Sequence, residues 1–222
     1  MERADEEIKK EVVDQLYWDS RVDASGIKVM VVDGKVTLSG VVRTYTARKA
    51  AVNDTWVIPG VRLVQDRLLV RYTVEVPPDE QIERNAVNAL IWNPNIDSGN
   101  IRVTVNEGLV SLEGTVDTYW KKIIVEDLLA NITGVLVIRN KITVVPTESQ
   151  EDERIARDVI GALGRTNLVP VGTVTVQVRS GVVTLTGAVP DSMTRLAAEE
   201  KAAHTVGVVD VQNQLVLGTG SE

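Results

Sequence analysis

The sequence contains no cysteine, no phenylalanine and a single histidine, His204, in 222 residues. Without thiols, disulfide frameworks and thiolate metal sites are excluded, and one imidazole without companions disfavours the usual zinc sites. No stretch approaches the roughly 20 consecutive apolar residues that cross a bilayer, so no transmembrane segment is expected. The first residues, MERADEE, are charged rather than apolar. This predicts a cytoplasmic protein, or a periplasmic one if a leader has been removed.

Glycine motifs that hold phosphates are also missing. The 16 glycines form neither Gly-x-Gly-x-x-Gly nor Gly-x-x-x-x-Gly-Lys-Ser/Thr, which disfavours a nucleotide enzyme. The net charge is −7, and no third of the chain is strongly basic, which disfavours binding to nucleic acid. A content of 44% hydrophobic and 25% charged residues is typical of a soluble globular protein.

What the sequence does contain is a threefold internal repeat. The segment DGKVTLSG at 33–40 returns as EGLVSLEG at 107–114 and as SGVVTLTG at 180–187. A Gly-Val pair follows at the same distance in each copy, at 60–61, 134–135 and 207–208. Since one module has been copied, the copies should share a fold. We predict domains at residues 1–74, 77–146 and 150–219, joined by short proline-containing connections that favour a nearly fixed arrangement.

Each copy opens with the pattern of an amphipathic helix. In the first copy Ile8, Val12 and Leu16 lie four apart, with charged residues between them. An acidic residue stands at the start of every copy, namely Asp5, Asp79 and Asp152. We interpret these aspartates as helix caps or as partners of the helix dipole.

The period then changes to that of β-strands. Apolar residues alternate in 27–31, and Asp33-Gly34 is a strong signal for a tight hairpin turn before a second strand. The glycine that ends this strand, Gly40 in the first copy, indicates a bulge or a close backbone approach. A second helix is expected at residues 45–57, 119–131 and 193–204, and a third strand follows it. We therefore predict an α+β fold of three tandem αββαβ two-layer modules, each a three-stranded mixed sheet with two helices on one face.

The whole pattern resembles the BON domain. The turn glycine, Val-x-Leu-x-Gly-x-Val, a helix, Gly-Val and then VQNQL at 211–215 (IRNKI at 138–142) carry the resemblance, which covers nearly the whole chain. It implies a non-catalytic bacterial module that binds phospholipid surfaces or other proteins, often in the envelope and under osmotic stress. It implies no cofactor and no shared catalytic residues.

Two tryptophans occupy matching positions in the first two copies. Trp18 and Trp92 stand just after the last core leucine of the first helix, where the third copy has Arg165. A tryptophan there suits a lid over a small core, and it equally suits contact with lipid or with a protein partner, because its large apolar ring carries one polar edge. Both interpretations remain open, and Trp18 and Trp92 are candidate binding residues.

The other aromatic candidates lie on the second helix. Trp56 is expected to fill the core, whereas Trp120 is expected to be partly exposed beside Lys121 and Lys122, and these three residues are further candidates for contact with lipid or a partner. His204 is expected to be an exposed residue at a helix end.

A polar residue interrupts the apolar face of the last strand in all three copies: Asp66, Asn140 and Asn213. The structural interpretation is a side chain that bonds to backbone and fixes strand pairing. The alternative is a cation or ligand site.

Three functions follow from these patterns. The leading hypothesis is a non-catalytic binding or adaptor protein that uses several weak sites at once, on a phospholipid surface or on protein partners. The alternative is a protein that senses a cation or a small ligand. An enzyme is disfavoured because no nucleophile, base and orienting group recur or cluster. The sequence leaves the oligomeric state open.

Overall fold

A computed structural model describes residues 4–147, 151–166, 169 and 172–218. Each repeat forms one module with the order helix, strand, strand, helix, strand. The first module comprises α1 (Asp5–Trp18), β1 (Ile27–Val32), β2 (Lys35–Val42), α2 (Tyr45–Trp56) and β3 (Leu63–Val70); the second comprises α3 (Asp79–Ile91), β4 (Ile101–Asn106), β5 (Leu109–Val116), α4 (Tyr119–Ala130) and β6 (Val137–Val144); the third comprises α5 (Asp152–Gly164), β7 (Val174–Arg179), β8 (Val182–Val189), α6 (Ser192–Ala203) and β9 (Asp210–Leu217). The predicted α+β fold is confirmed.

In each sheet the second strand is central. It pairs antiparallel with the first strand of the module and parallel with the third, so that Val29, Leu38 and Asp66 share one row in the first module. The second and third sheets have the same order and the equivalent register. The parallel pair follows from the helix that carries the chain back to the sheet, as predicted.

Each module has its own core between the helices and the sheet. The apolar residues predicted for the inner side of each first helix are buried in all three modules: Ile8, Val12 and Leu16; Ile82, Ala86 and Leu90; Ile155, Val159 and Leu163. They pack against alternate residues of the central strand, such as Val36 and Leu38 in the first module. The apolar residues that recur about every 3.6 positions on each helix thus face the apolar residues that recur at every second position of the strand, and this is why both helices lie on one face of the sheet.

The aspartate that opens each module binds the hairpin turn. The carboxylate of Asp79 accepts hydrogen bonds from the amides of Glu107, at 2.6 Å, and Gly108, at 3.1 Å. Asp5 and Asp152 bind the equivalent turns in the same way. The helices begin without a side-chain cap, so the capping interpretation is wrong. Both turn residues have positive φ, 49° and 72°, and this geometry turns two amides towards the helix start.

We expect Asp79→Ala to destabilise the second module by about 2 kcal/mol, because two amides lose a charged acceptor. Urea unfolding measures this loss. Glu80→Ala, at the next and exposed position of the same helix turn, is the control and should change stability by less than about 0.5 kcal/mol. Equal effects of the two substitutions would contradict the role of Asp79.

The three modules contact one another through their second helices. At the start of α2 the Thr46 hydroxyl donates to the Ala130 carbonyl at 2.8 Å, and the Lys49 ammonium lies 2.6 Å from Asp127, both near the end of α4. At the start of α4 the Trp120 ring stacks on His204, just after the end of α6, with ring centroids 6.4 Å apart.

The third contact joins the last module back to the first. The guanidinium of Arg195, in the first turn of α6, lies 4.9 Å from the ring centroid of Trp56, the last residue of α2. The start of each second helix therefore meets the end of the next, and the head-to-tail series closes on itself. The segment that connects the first two modules also contacts the second module, since the Tyr72 hydroxyl lies within 3.2 Å of the carbonyl oxygens of Ile132 and Val135.

Candidate functional site

The first helix of each module exposes apolar residues at matching positions. We call these residues the helix stripe. Its members, with their exposed fractions, are Val13 (44%), Tyr17 (71%) and Trp18 (79%) in α1, Val87 (38%), Ile91 (59%) and Trp92 (83%) in α3, and Ile160 (54%) in α5. Because Trp18 and Trp92 are mostly exposed, they are not lids over the core, and the contact interpretation is the one that the geometry favours.

The exposure of the helix stripe follows from helical geometry. The residues Val12 and Leu16 face the core, so the residues one position later, Val13 and Tyr17, are turned about 100° away from it. Trp18 ends the helix, and its ring meets that of Tyr17 edge to face, with centroids 5.5 Å apart.

A second surface is the outer face of the first sheet, opposite the helices. Three cationic side chains, Lys28, Lys35 and Arg67, point to this face and are exposed. They alternate with exposed aliphatic residues, which are Met30 (53%), Val32 (57%), Val41 (39%), Leu63 (48%) and Leu69 (66%). The strand positions that point outward in this sheet include no acidic residue. We call this surface the basic sheet face.

The other two sheets do not repeat the aliphatic residues of the basic sheet face, although the second sheet also carries Arg102, Arg139 and Lys141, with Glu113, at its outward positions. At the five aliphatic positions the second module has Thr104, Asn106, Thr115, Val137 and Thr143, and the third has Gln177, Arg179, Ala188, Asp210 and Val216. An outer face that only needs solvation would be polar in all three modules. In the sequence, the signal for this face is the apolar run Val29 to Val32, which breaks the alternation kept by the later copies.

The predicted candidates on the second helix lie elsewhere. Trp120 is partly exposed and stacks on His204, and the Lys121 ammonium lies 2.8 Å from Asp117. The carbonyl of Lys122 accepts a hydrogen bond from Asn140. These residues lie at the contact between modules or bond within their own module, and the structure does not bring them together with Trp18 or Trp92.

The polar residue of each last strand joins that strand to the second helix. Its Oδ1 accepts from the amide two residues later, at 2.9 Å for Asp66 and 3.2 Å for both Asn140 and Asn213. The other polar atom bonds to the helix: Asp66 to Arg48 Nε at 2.7 Å, Asn140 to the Lys122 carbonyl and Asn213 to the Arg195 carbonyl. These bonds favour the structural interpretation. In the described part of the chain no three His, Asp or Glu side chains form a group that could hold a metal ion.

Comparison with known families identifies these modules. Three stretches of the sequence, 4–72, 78–146 and 151–219, match the family model named BON domain. The chain belongs to the BON domain family. The matches cover nearly the whole chain, one for each module, and confirm the resemblance seen in the sequence.

Two solved structures that are similar to this chain come from Chlamydia trachomatis. One is the C-terminal domain of CdsD, the structural protein of the type III secretion system, with 17% identity, a TM-score of 0.27 and coverage of 94% of this chain and 96% of that one. A second CdsD structure has 16% identity, a TM-score of 0.28 and coverage of 97% and 94%. A search of curated proteins found no match. Among the described helices of the BON modules, none has the length and apolarity needed to cross a membrane.

A cavity lies where the first connection crosses the second BON module. Its volume is about 390 Å³, and its walls include Val70, Tyr72, Val76, Ile82 and Leu136. Arg71, Asp79 and Glu107 also line the cavity, so apolar walls and charged side chains meet there.

Proposed function

We propose that this protein is a non-catalytic adaptor that docks on an anionic phospholipid surface through the basic sheet face of its first BON module. The observation that supports this best is the composition of that face: three exposed cations, five exposed aliphatic side chains and no acidic residue at its outward strand positions. BON domains are binding modules without a shared catalytic site. For this chain we assign the binding surface to the basic sheet face and the ligand to anionic phospholipid.

The charge of the whole chain, −7, opposes binding to an anionic membrane. Binding therefore depends on the charges of the surface that faces the membrane. Each Lys or Arg near an anionic bilayer contributes roughly 1 kcal/mol, within a Debye length of about 8 Å at physiological salt. Among the residues of the first sheet and its hairpin, the acidic ones lie off the outward strand positions: Asp33 is in the turn at the edge of the face, and Asp66 points to the helices. The three cations of the basic sheet face therefore act as a local positive patch, and the aliphatic side chains between them add burial at the headgroup level.

The helix stripe supports a second contact, with a protein partner. Trp92 is 83% exposed, and its neighbours on the helix, Val87, Asn88 and Ile91, are uncharged. Exposed aromatic residues without nearby cations are typical of protein hot spots rather than of anionic lipid sites. Because the helix stripe and the basic sheet face belong to opposite layers of the first module, both can be occupied at once.

The test is sedimentation with vesicles of phosphatidylserine and phosphatidylcholine, compared with phosphatidylcholine alone. We expect binding to the anionic vesicles that weakens with salt, and a loss of about tenfold or more in the double variant Lys28→Glu, Arg67→Glu. The matched control is Arg102→Glu, Lys141→Glu, which changes the equivalent positions of the second module by the same charge and should retain binding.

The remaining outcomes are equally informative. Equal losses in the two double variants would show that only total charge matters, which overturns the basic sheet face as the site. Loss of binding in Trp18→Ala, Trp92→Ala with no loss in Lys28→Glu, Arg67→Glu would transfer lipid contact to the helix stripe. No sedimentation at low salt would remove lipid binding altogether.

A further inference from the structure

A buried carboxyl pair lies between the two helices of the first module. Asp54, in the last turn of α2, is only 8% exposed, and Asp19 immediately follows α1. Both carboxyl groups adjoin the same guanidinium nitrogen, since Arg21 Nη2 lies 2.5 Å from Asp19 Oδ2 and 3.9 Å from Asp54 Oδ1. Neither aspartate recurs, since the equivalent positions hold Asn93 and Thr166 for Asp19, and Leu128 and Lys201 for Asp54. The pair is therefore a special feature of the first module and not part of the common fold.

Among the described residues, Arg21 is the cation beside the pair, and it binds one member closely. Arg21 donates from Nε to both oxygens of Asp19, at 3.0 Å, and from its backbone amide at 2.8 Å. Its Nη2 lies 3.9 Å from Asp54 Oδ1, beyond hydrogen-bond distance. Asp54 Oδ2 is buried and receives no hydrogen bond from a donor. A buried carboxylate oxygen without a donor beside a second carboxylate is strongly disfavoured unless the pair holds a proton.

We propose that Asp54 and Asp19 share one proton, and that loss of this proton loosens the contact between α1 and α2 and with it the end of α1 that carries Tyr17 and Trp18. The first module thus contains a pH-sensitive switch beneath the helix stripe. The effect of this switch on partner binding rests on the proposed role of the helix stripe. The shared proton itself does not.

The direction of the pH dependence follows from the two groups. Burial, then the neighbouring Asp19 carboxyl and its charge, raise the pKa of Asp54 to about 6. The hydrogen bond from Arg21 holds the pKa of Asp19 below its usual value. The charged groups that face Asp54 are Asp19 and Arg21; the charge of Arg21 and a hydrogen bond from the Gln15 side chain of α1 act in the opposite direction and lower the pKa of Asp54.

The raised pKa means that Asp54 stabilises the folded module fully below pH 3.8, its unfolded value, and that this contribution is lost as pH rises through about 6. Asp19 behaves in the opposite way, because its contribution is present above its unfolded value and lost only in acid. Between about pH 4 and 7 the contact between the helices is therefore expected to weaken as pH rises.

The test is hydrogen exchange of the full chain at pH 5 and pH 8, expressed as protection factors so that intrinsic rates cancel. We expect protection at the end of α1 to fall by about tenfold or more at pH 8 in the wild type, and Asp54→Asn to abolish this fall because the isosteric amide stays neutral. Asp14→Asn, an exposed aspartate of the same helix, is the matched control and should keep the wild-type fall.

A second measurement does not depend on a variant. Titration of the side-chain carboxyl carbons by NMR should show Asp54 changing near pH 6 rather than near 4. Titration near 4, or an Asp54→Asn variant with the wild-type pH dependence, overturns the proposal. Vesicle binding enters neither experiment, so failure of this inference and failure of the proposed function are distinguishable.

Discussion

Replacing Gly114 with alanine is expected to unfold the second module. Gly114 lies in the central strand, two residues before its end, with φ +132°, and a Cβ built there would lie 2.0 Å from the carbonyl oxygen of Asn100. That oxygen belongs to the backbone and cannot move without breaking the pairing of Ile101 with Gly114. The strained φ alone costs about 1–3 kcal/mol, and with the steric clash we expect a loss of at least about 4 kcal/mol. Urea unfolding followed by circular dichroism measures it.

The control for this substitution is Gly99→Ala in the same module. A Cβ on Gly99 would meet only Asp97 Oδ1, at 3.4 Å, an ordinary contact, so the change should stay within about 1 kcal/mol. The close approach of Gly114 recurs at Gly40 and Gly187, where the added Cβ would lie 2.1 Å from the oxygens of Gly26 and Thr173. A Gly114→Ala protein as stable as Gly99→Ala would contradict the geometric reason for this repeated glycine.

The fold could be predicted from the sequence because each local signal appears three times. A stripe such as Ile8, Val12 and Leu16 and a turn such as Asp33-Gly34 are weak evidence alone, but agreement of three copies removes most alternatives. The sequence predicts that the repeated glycine ends the second strand and marks a bulge or a close backbone approach. The close approach is confirmed by Gly114, but the strand continues two residues past this glycine, to Val116. Local periodicity determines the elements, and the elements determine the two layers.

Surface features could not be predicted in the same way, because they depend on which residues the register brings together. Met30, Leu63 and Arg67 belong to two different strands, and only the pairing places them on one face. The pair of Asp19 with Asp54 depends on how two helices pack. A carboxylate at a helix start has two possible partners, its own helix or a neighbouring turn, and the sequence does not separate them.

The contacts between modules were the least predictable, because they use different chemistry at each joint. Thr46 and Lys49 form polar contacts between the first two modules, whereas Trp120 stacks on His204 between the second and third. Repetition identifies what the copies share, and these residues differ from copy to copy. Closure of the series is therefore visible only in the structure.

Tyr119→Ala is expected to uncouple the third module from the second. The Tyr119 ring, at the start of α4, packs against the cores of both modules. Burial raises the pKa of Tyr119 to about 12, with the charges of Asp210 and Glu199 in the third module adding to this rise. Loss of the half-buried ring should cost about 3 kcal/mol. In calorimetry we expect the joint unfolding of these two modules to separate into two transitions.

Two further substitutions separate the ring from its hydroxyl and from general effects of a missing aromatic residue. Tyr119→Phe keeps the ring and removes only the hydroxyl, which interacts with the Asp210 carboxylate and the Val211 backbone, so it should cost about 1 kcal/mol and leave the modules coupled. Tyr17→Ala removes a tyrosine that is 71% exposed and should leave the unfolding profile unchanged within about 0.5 kcal/mol. If Tyr119→Ala unfolded with the wild-type profile, the contact between α4 and the third module would not stabilise the assembly. Since that contact is one of three in a closed head-to-tail series, the remaining two would then have to hold the modules without it.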